Sequence, residues 1–266
     1  MTEAMAAAAQ EHGLGARQQL VENNPKRKPW PFVVLMAAVG GWAFDFGLDI
    51  AVENQRKDGT WYFGLPMLGA AALALATAAW LLLRRNGTKT WVARYEHGLA
   101  RQIAGAEPEV HHWDEIRWVA RDDVKVVQQI GSYMKYQLLV APEQGRLIVV
   151  DNEYAGVLPF AEGVTEAFTR ARVPKDAARL EAGERLEFGG VIDINAGGLG
   201  KGSRRIGWRE LGKIELKQGR MHVHRRGEPK AWLTVPAVGL PNLLVLLTLA
   251  DALRRRHSPD EGPGAG

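Results

Sequence analysis

Cysteine is absent from all 266 residues. That excludes disulfides, thiolate metal sites and a cysteine nucleophile, and it fits a folded part that meets a reducing compartment. Aromatic residues make up only 8% of the chain, and the tryptophans of its strand-rich part read as core residues rather than a stacking stripe, which argues against nucleic-acid binding. Charge of one sign is also missing, since 34 Lys and Arg face 30 Asp and Glu. No HExxH zinc motif, kinase signature set or nucleophile elbow occurs, so no enzyme and no cofactor are expected.

Some 46% of the residues are hydrophobic and 30 are glycine, enough apolar material for more than one structural unit. Residues 1–29 read as a flexible cytosolic tail ending in "NPKRKP". The first long apolar run starts only at Pro31, late for a cleaved signal peptide, so an uncleaved anchor is expected. Residues 31–52 form a 22-residue run broken only by Asp45 and Asp49, and residues 64–83 hold 20 residues without a charge. Since roughly 20 apolar residues cross a bilayer as helix, the segment 30–85 is expected to be a transmembrane hairpin. Lys26, Arg27 and Lys28 before it, and Arg84, Arg85 and Lys89 after it, put both chain termini in the cytoplasm by the positive-inside rule, which predicts a multi-pass protein of the cell membrane. Gly40 and Gly41 would let the small-residue face Gly69, Ala70, Ala74, Ala78 approach closely.

Asp45 and Asp49 lie four residues apart, on one helical face. One reading is a proton or cation site of a transport-accessory protein, because carboxylates inside a bilayer are costly. The other is depth: at about 1.5 Å per residue from Pro31, both fall near the outer headgroups.

After Arg85 the texture changes to short alternating strands separated by Gly, Pro, Asp and Asn. A first unit, 86–173, ends in an amphipathic helix over 160–172, and a second unit, 182–257, presents the same order and closes on "LPNLLVLLTLADALRRR". Gly98 and Leu99 match Gly198 and Leu199; Trp113, Glu115 and Ile116 match Trp208, Glu210 and Leu211. A period near 95 to 100 residues reads as a domain duplication, followed by a disordered tail, 258–266. The closing helix is interrupted by Pro236 and Pro241 and is too short to span, so Leu243, Leu244, Leu246, Leu247, Ala250 and Leu253 are expected to pack on a barrel.

The stretch "GGLGKGSRRIGWREL", 197–211, looks like a phosphate-gripping loop, yet Asn195 stands five positions before Gly200 and Gly202 follows Lys201, so the P-loop pattern fails. Its glycines match a strand turn in the first unit instead. Of the histidines, His222 and His224 share a strand face with no identifiable third metal ligand, and solvent-facing side chains are the expected state. Charge separates the two units: 9 Lys and Arg against 12 Asp and Glu over 91–172, but 14 against 7 over 184–256. Lys201, Arg204, Arg205 and Arg209 are therefore the candidate anionic-ligand residues, set against an ordinary solvated basic face.

The skeleton Trp91, Tyr95, Gly98, Leu99, Trp113, Glu115, Ile116, then Gly183, Phe188, Gly189, Gly198, Leu199, Trp208, Glu210, Gly219, Val223, Trp232, Pro241, Asn242 and Leu253, resembles an uncharacterised family of bacterial two-helix membrane proteins with tandem pleckstrin-homology-like (PH-like) domains. The resemblance implies an α+β chain: a two-helix transmembrane hairpin, then two PH-like β-barrels, each closed by a C-terminal helix. It implies no activity and no catalytic residue. The functional expectation is a membrane-anchored binding or scaffold module with the lipid bilayer as partner. Its second barrel would contact anionic headgroups, or the chain would recruit a protein partner, and no nucleic acid is expected.

Overall fold

In a computed structural model, residues 3–23, 30–57, 65–83, 88–128 and 131–257 are described. The chain divides into two compact units, one spanning 24–89 and the other comprising the chain on either side of it. It opens with α1 (Glu3–Glu11) and β1 (Arg17–Glu22), in the stretch expected to be a flexible tail. Ala-rich sequence favours helix, and Met5, Ala9 and Leu14 bury themselves against Ala93, Tyr95 and Ala100.

The unit 24–89 contains α2 (Trp30–Lys57) and α3 (Leu65–Leu83). The two run antiparallel: a Cβ on Gly40 would lie 3.0 Å from Leu75, and one on Gly47 3.1 Å from Met67. Gly40 thus gives close approach as expected, whereas Gly41 and Gly69 face open space. The expected two-helix transmembrane hairpin is corrected here. Among the described residues one helix, over Val34–Val52, is long and apolar enough to cross a membrane, with mean hydropathy 1.5. The apolar stretch of α3, Leu65–Ala79, spans only about 22 Å at about 1.5 Å per residue, short of a ~30 Å core.

The other unit resumes with β2 (Thr90–Tyr95), β3 (Gly98–Ile103) and β4 (Glu109–His112). After a 3₁₀ turn at Trp113–Glu115 come β5 (Ile116–Gln128), β6 (Gly131–Pro142), β7 (Ile148–Asp151) and α4 (Val157–Glu181). The chain continues through β8 (Leu186–Phe188), β9 (Ile192–Asn195), β10 (Gly198–Lys201) and β11 (Arg204–Gly207). It ends with β12 (Leu211–Lys217), β13 (Arg220–Arg225), β14 (Ala231–Pro236) and α5 (Leu243–His257).

These strands form four antiparallel sheets, ordered β1-β2-β3-β4, β5-β6-β7, β11-β10-β9-β8 and β12-β13-β14, and none closes into a barrel. The two PH-like barrels are therefore not formed. The physical reason lies at the corners: the 3₁₀ turn Trp113–Glu115 carries the chain from β4 to β5, and Trp208–Glu210 carries it from β11 to β12, so the strands on either side of each corner join different sheets.

β1 pairs with β2 from Glu22↔Trp91 to Arg17↔Tyr95, and Asn23 donates its backbone N–H to the Thr90 carbonyl at 3.0 Å. The helical unit thus leaves and re-enters the chain between two neighbouring, hydrogen-bonded strands.

One hydrophobic core runs through both strand-built halves, from Val21, Leu99 and Ile116 through Phe160 and Phe168 to Ile206, Val223 and Leu246. Between the halves α4 continues through Pro174: Asp176, 4% exposed, receives Arg172 at 3.1 Å and Arg179 at 3.2 Å, and Leu180 packs into the core. On α5 the buried residues are Val245, Leu246, Leu249 and Ala250. The expected Leu243, Leu247 and Leu253 pack only partly buried against the core.

Candidate functional site

The glycine-rich stretch forms the β10–β11 hairpin, with Gly202 at φ +59 in its turn. Gly198 has a packing reason to be glycine, because a Cβ there would fall 2.0 Å from the Ile206 carbonyl oxygen. Gly98 stands in the same position in the first half, 2.2 Å from the His111 oxygen. Its φ lies outside the positive-φ region, so close strand approach, rather than the expected turn conformation, requires it. The matched tryptophans also behave alike. Trp113 Nε1 donates to the Glu96 carbonyl at 2.9 Å, and Trp208 Nε1 to that of Asn195 at 3.0 Å. Each indole pins the strand turn of its own half.

Of the four cations expected to bind an anion, Arg205 is held by the protein itself. It lies across Gly200, pairs with Asp193 and donates to the Gly198 carbonyl at 3.1 Å. Asp193, 2% exposed, also receives Arg185 at 3.1 Å. Arg204 stacks 5.0 Å from the centre of the Trp232 ring and donates to the Trp232 carbonyl at 2.8 Å. Lys201 and Arg209 are exposed and make no ion pair among the described residues. The turn therefore brings free Lys201 beside the stacked, immobilised Arg204, whereas Arg209 lies beyond the far end of β11, at the corner to β12.

Asp45 and Asp49 are both exposed on α2, without a partner among the described residues. His222 bonds Thr234 Oγ1 at 3.1 Å, and His224 is 8% exposed beside Glu215 at 3.4 Å, so the expectation of solvent-facing histidines fails for His224. A bulge between Val223 and His224 draws that ring inward. Among the described residues no group of three or more His, Asp or Glu is placed to hold a metal. Glu115 caps the 3₁₀ turn, its Oε2 accepting the His112 N–H at 2.9 Å, while Glu210 accepts the Arg226 N–H on its backbone carbonyl. Neither is arranged as a catalytic carboxylate pair.

A cavity lies where the two halves meet and was not anticipated. It has a volume of about 340 Å³ and is open on one side. β5 supplies Val119 and Arg121, α4 supplies Phe168 and Thr169, and the segment from Ala237 into the first turn of α5 completes the wall. The seam beside it is built by residues 239–242, which lie along the free edge of β5. Gly239 N–H donates to the Arg121 carbonyl at 2.9 Å, and Asn242 N–H to that of Val119 at 2.8 Å. In return the Val119 N–H donates to Asn242 Oδ1 at 2.9 Å. Asn242 adopts φ +57, a left-handed conformation that asparagine tolerates better than most residues. The Pro241-Asn242 pair was visible in the sequence as a motif, but its partner strand is more than a hundred residues away.

No curated protein and no solved structure matches the chain. The model of one family, described as Family of unknown function (DUF6585), matches residues 1–258, and the chain belongs to that family.

Proposed function

We propose that the chain is a membrane-tethered binding module. The unit 24–89 anchors it, and the strand-built unit does the recognising, with Lys201, Arg204 and Arg209 meeting anionic headgroups at the cytoplasmic surface. The observation that carries this reading is the apolar exposure of the helical unit. Val34, Leu35 and Trp42 on α2 and Leu73 on α3 are 60, 57, 63 and 71% exposed. Apolar patches of that kind on soluble proteins seldom exceed a few hundred Å², and a bilayer is the solvent that satisfies them. The matched glycine contacts and indole hydrogen bonds of the two halves support their origin as copies of one unit.

The test follows from the insertion point. Because Asn23 and Thr90 already pair across β1 and β2, an Asn-Gly turn can replace residues 24–89 and close the two strands as a hairpin. The full chain is expected in the carbonate-resistant membrane fraction and the excised chain in the soluble fraction, with native-like tryptophan emission. Recovery of the full chain in the soluble fraction refutes the anchor. The excised chain should also sediment with vesicles of phosphatidylcholine and phosphatidylserine at low salt, and not with phosphatidylcholine alone. Equal binding to both, or unchanged binding after Lys201→Gln, Arg204→Gln and Arg209→Gln together, refutes the headgroup contact.

A further inference from the structure

The cleft between the two halves combines an apolar wall with hydrogen-bond donors that no side chain caps among the described residues. Phe168, Leu240, Leu243 and Leu247 line it, with Val119 and Ala120 on the β5 side. The first turn of α5 opens onto it. Asn242, which precedes that helix, gives its side-chain oxygen to Val119 rather than to the helix, so the N–H groups at the start of α5 have no side-chain cap. Such N–H groups, at the positive end of the helix dipole, favour an anion.

A second observation points the same way. Thr169 lines the cleft, is 8% exposed, and its hydroxyl has no hydrogen-bond partner among the described residues. Thr165, one turn earlier on α4, returns its hydroxyl to the Ala161 carbonyl at 2.7 Å, so the orphan hydroxyl of Thr169 is not the habit of this helix. Buried polar groups seldom remain unsatisfied without a reason.

Charge completes the picture. Arg121, Asp123 and Arg220 line the cleft; Arg121 pairs with Asp123 at 2.5 Å, while Arg220 is exposed and makes no ion pair among the described residues. The cleft thus carries one cation in excess. Its volume of 340 Å³ lies at the lower end of the range for small-ligand sites, about 300–1,000 Å³. At about 30 Å³ for each water displaced, it holds a ligand of about ten non-hydrogen atoms.

We propose that this cleft binds a single-chain amphiphile with an acidic headgroup. The chain lies on Phe168 and the leucines, and the carboxylate sits among Arg220, the Thr169 hydroxyl and the uncapped N–H groups at the start of α5. The site is separate from the β10–β11 turn and does not depend on the membrane reading.

Because the chain has no cysteine, Val238→Cys at the lip of the cleft provides a single reporter thiol, with Gln144→Cys on an exposed turn as the control. The full chain, in buffer or in phosphatidylcholine nanodiscs according to which keeps it monodisperse, is labelled with a maleimide in the presence of octanoate, octanol or octyltrimethylammonium. Octanoate is expected to slow labelling at Val238→Cys at least tenfold and to leave Gln144→Cys unchanged, with octanol and the cationic amphiphile several-fold weaker. Arg220→Gln, an exposed change that spares the core, and the isosteric Thr169→Val should each remove most of the protection. No protection at millimolar octanoate, or equal protection at Gln144→Cys, overturns the site. Protection by octanol equal to that by octanoate, or protection untouched by both Arg220→Gln and Thr169→Val, overturns the acidic headgroup.

Discussion

Asn242 does two jobs, and three substitutions at that position separate them. Its side-chain oxygen satisfies the N–H of Val119, a residue 3% exposed, and its backbone sits at φ +57. Leaving a buried N–H without an acceptor costs about 1–3 kcal/mol, and forcing an alanine into the left-handed region costs about a further 1–2 kcal/mol. Asn242→Ala incurs both, for a total of about 2–5 kcal/mol. Asn242→Gly loses the acceptor and relieves the backbone, so it costs about 1–3 kcal/mol. Asn242→Asp keeps the acceptor and loses only the long contact from Nδ2 to the Arg117 carbonyl at 3.5 Å, so it costs about 1 kcal/mol. Native-state hydrogen exchange on the full chain reads these differences locally, in the peptides covering β5 and the first turn of α5. Since 1.4 kcal/mol is tenfold, the alanine variant should exchange there from about thirty-fold to a few thousand-fold faster than wild type, and the glycine variant about five- to 150-fold faster. The order alanine, glycine, aspartate is the substance of the prediction. If glycine exchanges as fast as alanine, the positive φ contributes nothing; if alanine exchanges like wild type, residues 239–242 do not hold the seam.

Gly198→Ala and Gly98→Ala should each destabilise the strand-built unit by more than about 4 kcal/mol, because the new Cβ would sit 2.0 and 2.2 Å from a backbone oxygen that belongs to a paired strand. Gly105→Ala, at φ +80 with open space around it, should cost only about 1–2 kcal/mol, and urea denaturation of the three variants compares them directly. Burial pushes the His111 imidazole below its ordinary value of 6.5; Glu109 and Glu115 oppose that, and Arg101 adds to it. The unfolded chain then takes up a proton below about pH 6.5 that the folded chain resists, so stability should fall as pH drops through 6.5 and level off below the depressed folded value. His111→Gln should flatten that part of the stability profile between pH 7 and 5, and an unchanged slope would refute the assignment.

Much of the strand-built unit was legible because its signals are local. Alternation marked the strands, and the matched Gly98 and Gly198, Trp113 and Trp208 marked corresponding turns. Each of those residues makes a short-range contact that a sequence motif can encode. Barrel closure was not legible, because it depends on whether strands on either side of a corner pair, and no side-chain pattern within either strand specifies that. The strand β1 was missed for a related reason. Only Val21 of its six residues is buried, so it lacks alternation, and its partner β2 lies nearly seventy residues downstream. For α1 the signal was present, since a run of alanines is strong helix-forming sequence. With Met5 its one large apolar side chain, it looked like a tail until Tyr95 and Ala100 supplied a surface to cover.

The candidate sites divide along the same line. A cluster of Lys and Arg can be counted in a sequence, but whether each cation is free depends on neighbours elsewhere: Asp193 holds Arg205, and Trp232 stacks under Arg204. The cleft lies further out of reach, because its walls come from β5, α4, β13 and the start of α5. What joins those elements is a single conflict at Asn242. The free edge of β5 needs an acceptor for Val119, and the start of α5 needs one for its first N–H groups, but one side-chain oxygen serves only the first. A helix preceded by serine, threonine or asparagine ordinarily has that need met locally. Here the residue that locks the two halves together leaves the helix end without a side-chain cap, and it does so at the wall of an apolar cleft at the seam. The seam and the uncapped donors are therefore one structural choice rather than two. A variant that moved the Asn242 oxygen from Val119 to the helix would weaken the first and quench the second together.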